Sequence, residues 1–126
     1  PVSCAAALAV MDIMKRDDYA GKARHIGEVV MKRYKELQEK YPVIGDVRGL
    51  GAMIGIELVK DKKTKEPATE LTAKLIQNAI QKGLLLENCG TAGNVVRFLA
   101  SLTMTDEQME KGLEIFEASL KEAMEA

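Results

Sequence analysis

The sequence contains no Trp, and its aromatic residues make up only 4% of the chain, so Leu, Ile, Val, Ala and seven Met must fill any core. Cysteine is nearly as scarce. Cys4 and Cys89 lie far apart without metal-ligand spacing, which reads as reduced thiols in a cytosolic protein rather than a disulfide framework or a metal site. The single His25 has no Ser, Cys or Asp partner beside it in the sequence and takes no catalytic role. Charge of one sign is also missing. Lys and Arg total 18 against 19 acidic residues, and that balance excludes the clustered basic footprint of a nucleic-acid binder. The run Lys60, Lys62, Lys63 and Lys65 is interrupted by Asp61 and Glu66, as in a solvated turn. No apolar stretch approaches the roughly 18 residues of a membrane span, and no signal peptide is visible. No Ser, His and carboxylate set or Walker-type loop occurs either. The chain opens on Pro1-Val2-Ser3 without an initiator Met, which leads us to expect a fragment or a processed product.

What is present suits one globular domain: 47% hydrophobic residues, 29% charged, and no internal repeat or low-complexity segment. A chain of this length buries about two-thirds of its unfolded surface, enough for an independent core. Ala5 to Met14 is apolar at nearly every position except Asp12, the pattern of a helix covered on most sides, which in this chain must pack on the rest, pair with another copy or stay exposed and sticky. Ala23, Ile26, Val30, Tyr34, Leu37 and Tyr41 recur in steps of three and four, predicting a second helix that Pro42 ends. Residues 52–59 alternate as a strand, approached through Arg48-Gly49-Leu50-Gly51 as a hairpin or bulge. Those glycines are not a dinucleotide fingerprint, because a strand follows them where a helix is required.

A third helix is expected from about Ala68 to Lys82, with Leu71, Leu75, Ile76, Ala79 and Ile80 inward and Gly83 as its stop. Leu84-Leu85-Leu86 reads as a short buried strand, Glu87 to Asn94 as a loop, and Val95 to Leu99 as another strand. Thr105 and Gln108 have the spacing of a capping box, and Met104 and Met109 that of a hydrophobic staple. The helix they open should face Met109, Leu113, Phe116, Leu120 and Met124 inward. The fold class expected is α+β, a small and mostly antiparallel sheet covered by helices in a sandwich-like layer.

One residue asks for a chemical explanation. Arg97 sits among Val95, Val96, Phe98 and Leu99, so the strand should be covered on both faces. A guanidinium stays charged at working pH and is costly to bury unpaired, so something anionic must meet it. A ligand carboxylate gripped in bidentate fashion would serve, and so would a structural ion pair or a side chain snorkelling to the sheet edge. Arg48 poses the same question less sharply, since glycines flank its segment, and its role reads as structural. Cys89 has no adjacent base to activate it and reads as inert.

Three blocks resemble one family in its own order and spacing. Gly45-Asp46-Val47-Arg48-Gly49-Leu50-Gly51-Ala52-Met53-Ile54 with Ile56-Glu57-Leu58 is similar to the small-domain signature of class III pyridoxal-phosphate-dependent aminotransferases. Asn94 to Leu99, with Leu102-Thr103 and the helix from Thr105, resembles their final strand and helix. Pro1 to Val10 resembles the segment after their Gly-Gly-Asn turn. Gly-Leu-Gly-Ala-Met and the Asn88-Cys89-Gly90 loop lean toward the branch that acts on 4-aminobutyrate, with the ornithine and acetylornithine branches close by. Ser101 departs from the family's usual Pro before Leu-Thr.

The resemblance implies the C-terminal small domain of a fold-type-I enzyme. Residues 1–17 would form a helix packed on or linked to an absent large domain, and residues 18–126 the small domain itself. The resemblance also implies a cytoplasmic homodimer as the parent, which moves the amino group of 4-aminobutyrate to 2-oxoglutarate through pyridoxal phosphate.

 The Schiff-base lysine, and the residues that stack on the ring and hold its nitrogen, would lie upstream of this chain. The chain alone would then bind no cofactor and catalyse nothing. One functional residue carries over: Arg97 matches the arginine expected to bind a substrate carboxylate.

Overall fold

A computed structural model describes residues 1–125. Its elements run α1 (Val2–Arg16), α2 (Tyr19–Lys40), β1 (Ile44–Leu50), β2 (Met53–Leu58), α3 (Thr69–Gln81), β3 (Glu87–Cys89), β4 (Val95–Leu99) and α4 (Asp106–Glu125). The strands form one sheet in the order β1-β2-β4-β3, with every neighbouring pair antiparallel. The fold is α+β, as the residue pattern predicts.

Period-two alternation sends Ile54, Ile56 and Leu58 of β2 and Val96 of β4 to the helical side of the sheet. There they meet Val30, Tyr34 and Leu37 of α2, Leu75 of α3, and Leu113, Phe116 and Leu120 of α4. Tyr34 and Phe116 pack edge to face with ring centroids 4.9 Å apart, a geometry that adds to the area they bury. Arg33, Lys40 and Tyr41 converge on Glu117 and tie the second half of α2 to α4.

Local chemistry sets the ends of these elements. The Thr105 hydroxyl accepts from the Gln108 amide at 3.2 Å, and the Gln108 side chain accepts from the Thr105 amide at 3.1 Å, completing the capping box. At the end of α3, Gly83 takes a φ of +84°. Its N–H donates to the Ile80 carbonyl and that of Leu84 to the Ala79 carbonyl, the paired bonds of a Schellman stop. Gly51, at φ +54°, turns β1 into β2 through a two-residue loop. That loop lies close against Gly27 of α2, where a Cβ would come within 2.5 Å of the Gly51 carbonyl oxygen.

None of α1 is buried, and Leu8 and Met11 are each more than 60% exposed, so the apolar helix is uncovered by the described residues. The structure departs from expectation in three places. The third strand in chain order, β3, begins at Glu87, and Leu84-Leu85-Leu86 precedes it as irregular backbone with Leu85 exposed. The Gly83 stop uses the Leu84 amide, and pairing with β4 starts only opposite Arg97. Ile80 and Met124 sit at helix ends and are exposed rather than inward. Finally, beyond Val95 the strand β4 is covered on one face only, which places Arg97 and Leu99 on an open side. Among the described residues, no helix is long and apolar enough to cross a membrane.

Candidate functional site

The side of the sheet away from the helices carries the chemistry. Strand register aligns Arg48, Gly55, Arg97 and Glu87 in one row across all four strands. One step along, Leu50, Met53 and Leu99 form an exposed apolar row. One step the other way lie Asp46, Glu57, Val95 and Cys89. Gly55 contributes no side chain between the two arginines, so their row is open at its centre.

The two guanidinium groups differ in how they are held. Arg48 Nη1 donates to Asp46 Oδ2 at 2.8 Å and to Glu57 Oε2 at 2.7 Å. The hydrogen bond to Asp46, then that to Glu57, raises its pKa further above the ordinary range. Arg48 is therefore clamped in an ion-pair cluster, in line with its structural reading. Arg97 Nη2 contacts a single acid, Glu87 Oε2 of the neighbouring strand, and 42% of the Arg97 side chain stays exposed. The anion that the sequence demands for Arg97 is thus met in part from within the sheet. A guanidinium with one exposed partner retains donors for a second carboxylate.

Beside this pair lies a cleft of about 410 Å³, lined by Tyr34, Leu84 to Leu86, Phe98, Met104 and Met109, with Arg97 and Glu87 also contributing. No lysine lines it, and every lysine of the chain is exposed. The cleft also holds no His, Ser or Cys, so the arrangement can bind and orient an anion but offers no nucleophile. His25 lies elsewhere, with its Nε2 2.8 Å from Asp106 Oδ1 at the start of α4. Cys4 is exposed and Cys89 half-buried, and no group of three metal-ligating side chains occurs among the described residues. Glu87 is the residue that sequence reasoning missed. Its signal is nonlocal, because only the pairing of β3 with β4 places it opposite Arg97.

Comparison with known proteins fixes the lineage. The family model described as aminotransferase class III matches residues 1–120. A 5-aminovalerate aminotransferase of Pseudomonas aeruginosa is 46% identical over 91% of the chain. A 4-aminobutyrate aminotransferase of Escherichia coli is 42% identical over 98% of it. The chain spans 27% and 29% of those two proteins. The crystal structure of an aminotransferase from Bacillus anthracis superposes with a TM-score of 0.87 at 26% identity, over 97% of this chain and 28% of that one. With its sequence matched from Pro1 almost to its end, this chain belongs to the class III aminotransferase family.

Proposed function

We propose that this chain serves as the C-terminal domain of a longer aminotransferase of the 4-aminobutyrate and 5-aminovalerate branch, in which Arg97 receives a substrate carboxylate. The observation that carries this reading is the state of Arg97: exposed on the open sheet face, with one carboxylate partner where Arg48 has two. The names of the relatives support the substrate class, and their greater length supports a missing large domain. In such a protein 4-aminobutyrate would donate its amino group and 2-oxoglutarate would accept it. Pyridoxal phosphate would supply the electron sink for that exchange.

The residues of this chain do not fit that cofactor on their own. An imine needs a lysine inside the site, and here every lysine faces solvent. The chain's part is to bind and orient, so the isolated chain is inactive in this reading. Helix α1, apolar and uncovered, would pack on the remainder of the enzyme, residues 18–126 would form the small domain, and the assembly would be a cytoplasmic homodimer. A second reading, an oligomerising module without catalysis, is favoured only by the same exposed α1.

The test is Arg97→Lys in the longer protein that carries this chain. Lys keeps the charge but loses the planar fork, so KM for 2-oxoglutarate should rise about tenfold, the equivalent of roughly 1.4 kcal/mol. An unchanged KM would return Arg97 to a structural role. Cofactor uptake with transamination by the 126-residue chain alone would refute its inactivity.

A further inference from the structure

Gly55 stands at the centre of the row that carries both arginines, directly opposite Arg97 on one side and Arg48 on the other. Glycine weakens the interior of a strand, so its presence there needs a cause. The backbone supplies none: Gly55 lies outside the positive-φ region that Gly51 occupies, and the register shift of the β1-β2 pair falls at Ile44–Asp46. Packing supplies none either. A Cβ at Gly55 would meet only the Val95 Cγ1 methyl at 3.3 Å and the Arg48 carbonyl oxygen at 3.9 Å, whereas at Gly27 it would strike backbone at 2.5 Å. The Val95 contact asks a side-chain methyl to give by a few tenths of an ångström. Among the described residues, no side-chain atom of Arg48 or Arg97 comes within 4 Å of that point. Close approach of a ligand is the remaining use of a strand glycine.

We propose that Gly55 is a clearance position, its missing side chain leaving the lane by which a substrate carboxylate reaches the Arg97 guanidinium from the β2 side. This role rests on the reading of Arg97 as a carboxylate anchor. Glu87 meets Arg97 from β3, on the opposite side, while Asp46 and Glu57 hold Arg48 one step along the strands. Neither arginine fills the space over Gly55. Directly opposed residues have Cβ atoms roughly 5 Å apart, so any side chain at position 55 would stand in the slot between the two arginine stems. Along one flank of that slot runs the exposed apolar row of Leu50, Met53 and Leu99, which suits the methylene stem of a linear carboxylate. Gly55 touches no reacting atom; it determines which substrates fit beside Arg97, and how far a carboxylate can descend onto it.

The experiment uses the longer protein carrying this chain, with 2-oxoglutarate as the varied substrate. Gly55→Val should raise KM about tenfold and Gly55→Ala about threefold, as added methyl groups fill the lane. In the Arg97→Ala background Gly55→Val should add little, because the carboxylate is no longer drawn into the row. In the 126-residue chain Gly55→Val should raise the unfolding midpoint by about 2–4 °C, since a β-branched residue suits a strand better than glycine does. An unchanged KM in Gly55→Val, while Arg97→Ala raises it, overturns the clearance role and leaves the anchor standing. If Arg97→Ala itself leaves KM unchanged, the anchor reading fails and the clearance role with it. A KM rise as large without Arg97 as with it would place the obstruction elsewhere and also overturn the role. So would a lowered midpoint, which would mean that the fold itself requires glycine; Gly55→Ala decides the matter where Gly55→Val does not fold.

Discussion

Two glycines in helices offer a test in which packing and helix propensity predict opposite signs. Gly27 lies within α2 and Gly112 within α4, and replacing a mid-helix Gly with Ala ordinarily stabilises by about 0.5–1 kcal/mol. At Gly112 the added methyl would meet nothing nearer than Leu84 Cδ1 at 3.7 Å, an ordinary contact, so Gly112→Ala should give that gain. At Gly27 the methyl would sit 2.5 Å from the Gly51 carbonyl oxygen, 2.7 Å from its carbon and 2.9 Å from its Cα. Those atoms are backbone in a turn fixed by Gly51 at φ +54°, and they cannot rotate away. Overpacking of this kind costs about 1–3 kcal/mol, so Gly27→Ala should come out about 1–2 kcal/mol less stable after the helix gain is subtracted. Urea denaturation of the 126-residue chain reads both values. Thermal midpoints should move by roughly 4 °C per kcal/mol, downward for Gly27→Ala and upward for Gly112→Ala. A stabilised Gly27→Ala would refute the close approach of α2 to the hairpin.

Other outcomes follow from the caps and charges. Thr105→Ala removes the hydroxyl that accepts from the Gln108 amide and should cost about 1 kcal/mol in denaturant unfolding, with Thr105→Ser close to wild type. Glu117 has its pKa lowered chiefly by its hydrogen bond with Lys40, and further by those from Tyr41 and by the Arg33 charge. A depressed carboxylate contributes stability above its unfolded value of about 4.3, and that stability is lost as pH falls through the lower folded value. Glu117→Gln should therefore weaken the chain at pH 7 and flatten the decline of stability below about pH 4.3; a parallel decline in both proteins would contradict this.

The parts of the fold that rest on short-range rules were legible in the residues. The stripe from Ile26 to Leu37, the capping box at Thr105, the Gly83 stop and the alternation of β2 each depend on neighbours within about one helical turn or one strand. What stayed hidden depends on pairing across the chain. Three leucines in a row resemble a strand, but the edge strand forms where β4 offers partners, and that begins at Glu87. An apolar sequence around Arg97 suggested cover on both faces, yet Leu50, Met53 and Leu99 show that apolar residues here also line an open one. The site was half visible for the same reason. Arg97 announces itself by being charged among apolar neighbours, whereas Glu87 gains meaning only from the register that sets it opposite.

Helix α1 gives the chain two clocks. Its 15 residues bury nothing, so its amides are guarded by the helix's own hydrogen bonds alone. A helix of that length is marginal in water by itself, and opening it need not disturb the sheet or its three covering helices. Amide hydrogens of α1 should then exchange on the timescale of local fraying, while those of Ile54 and Ile56 await opening of the whole core. Slowing of the fast clock alone would report the arrival of whatever surface covers that helix.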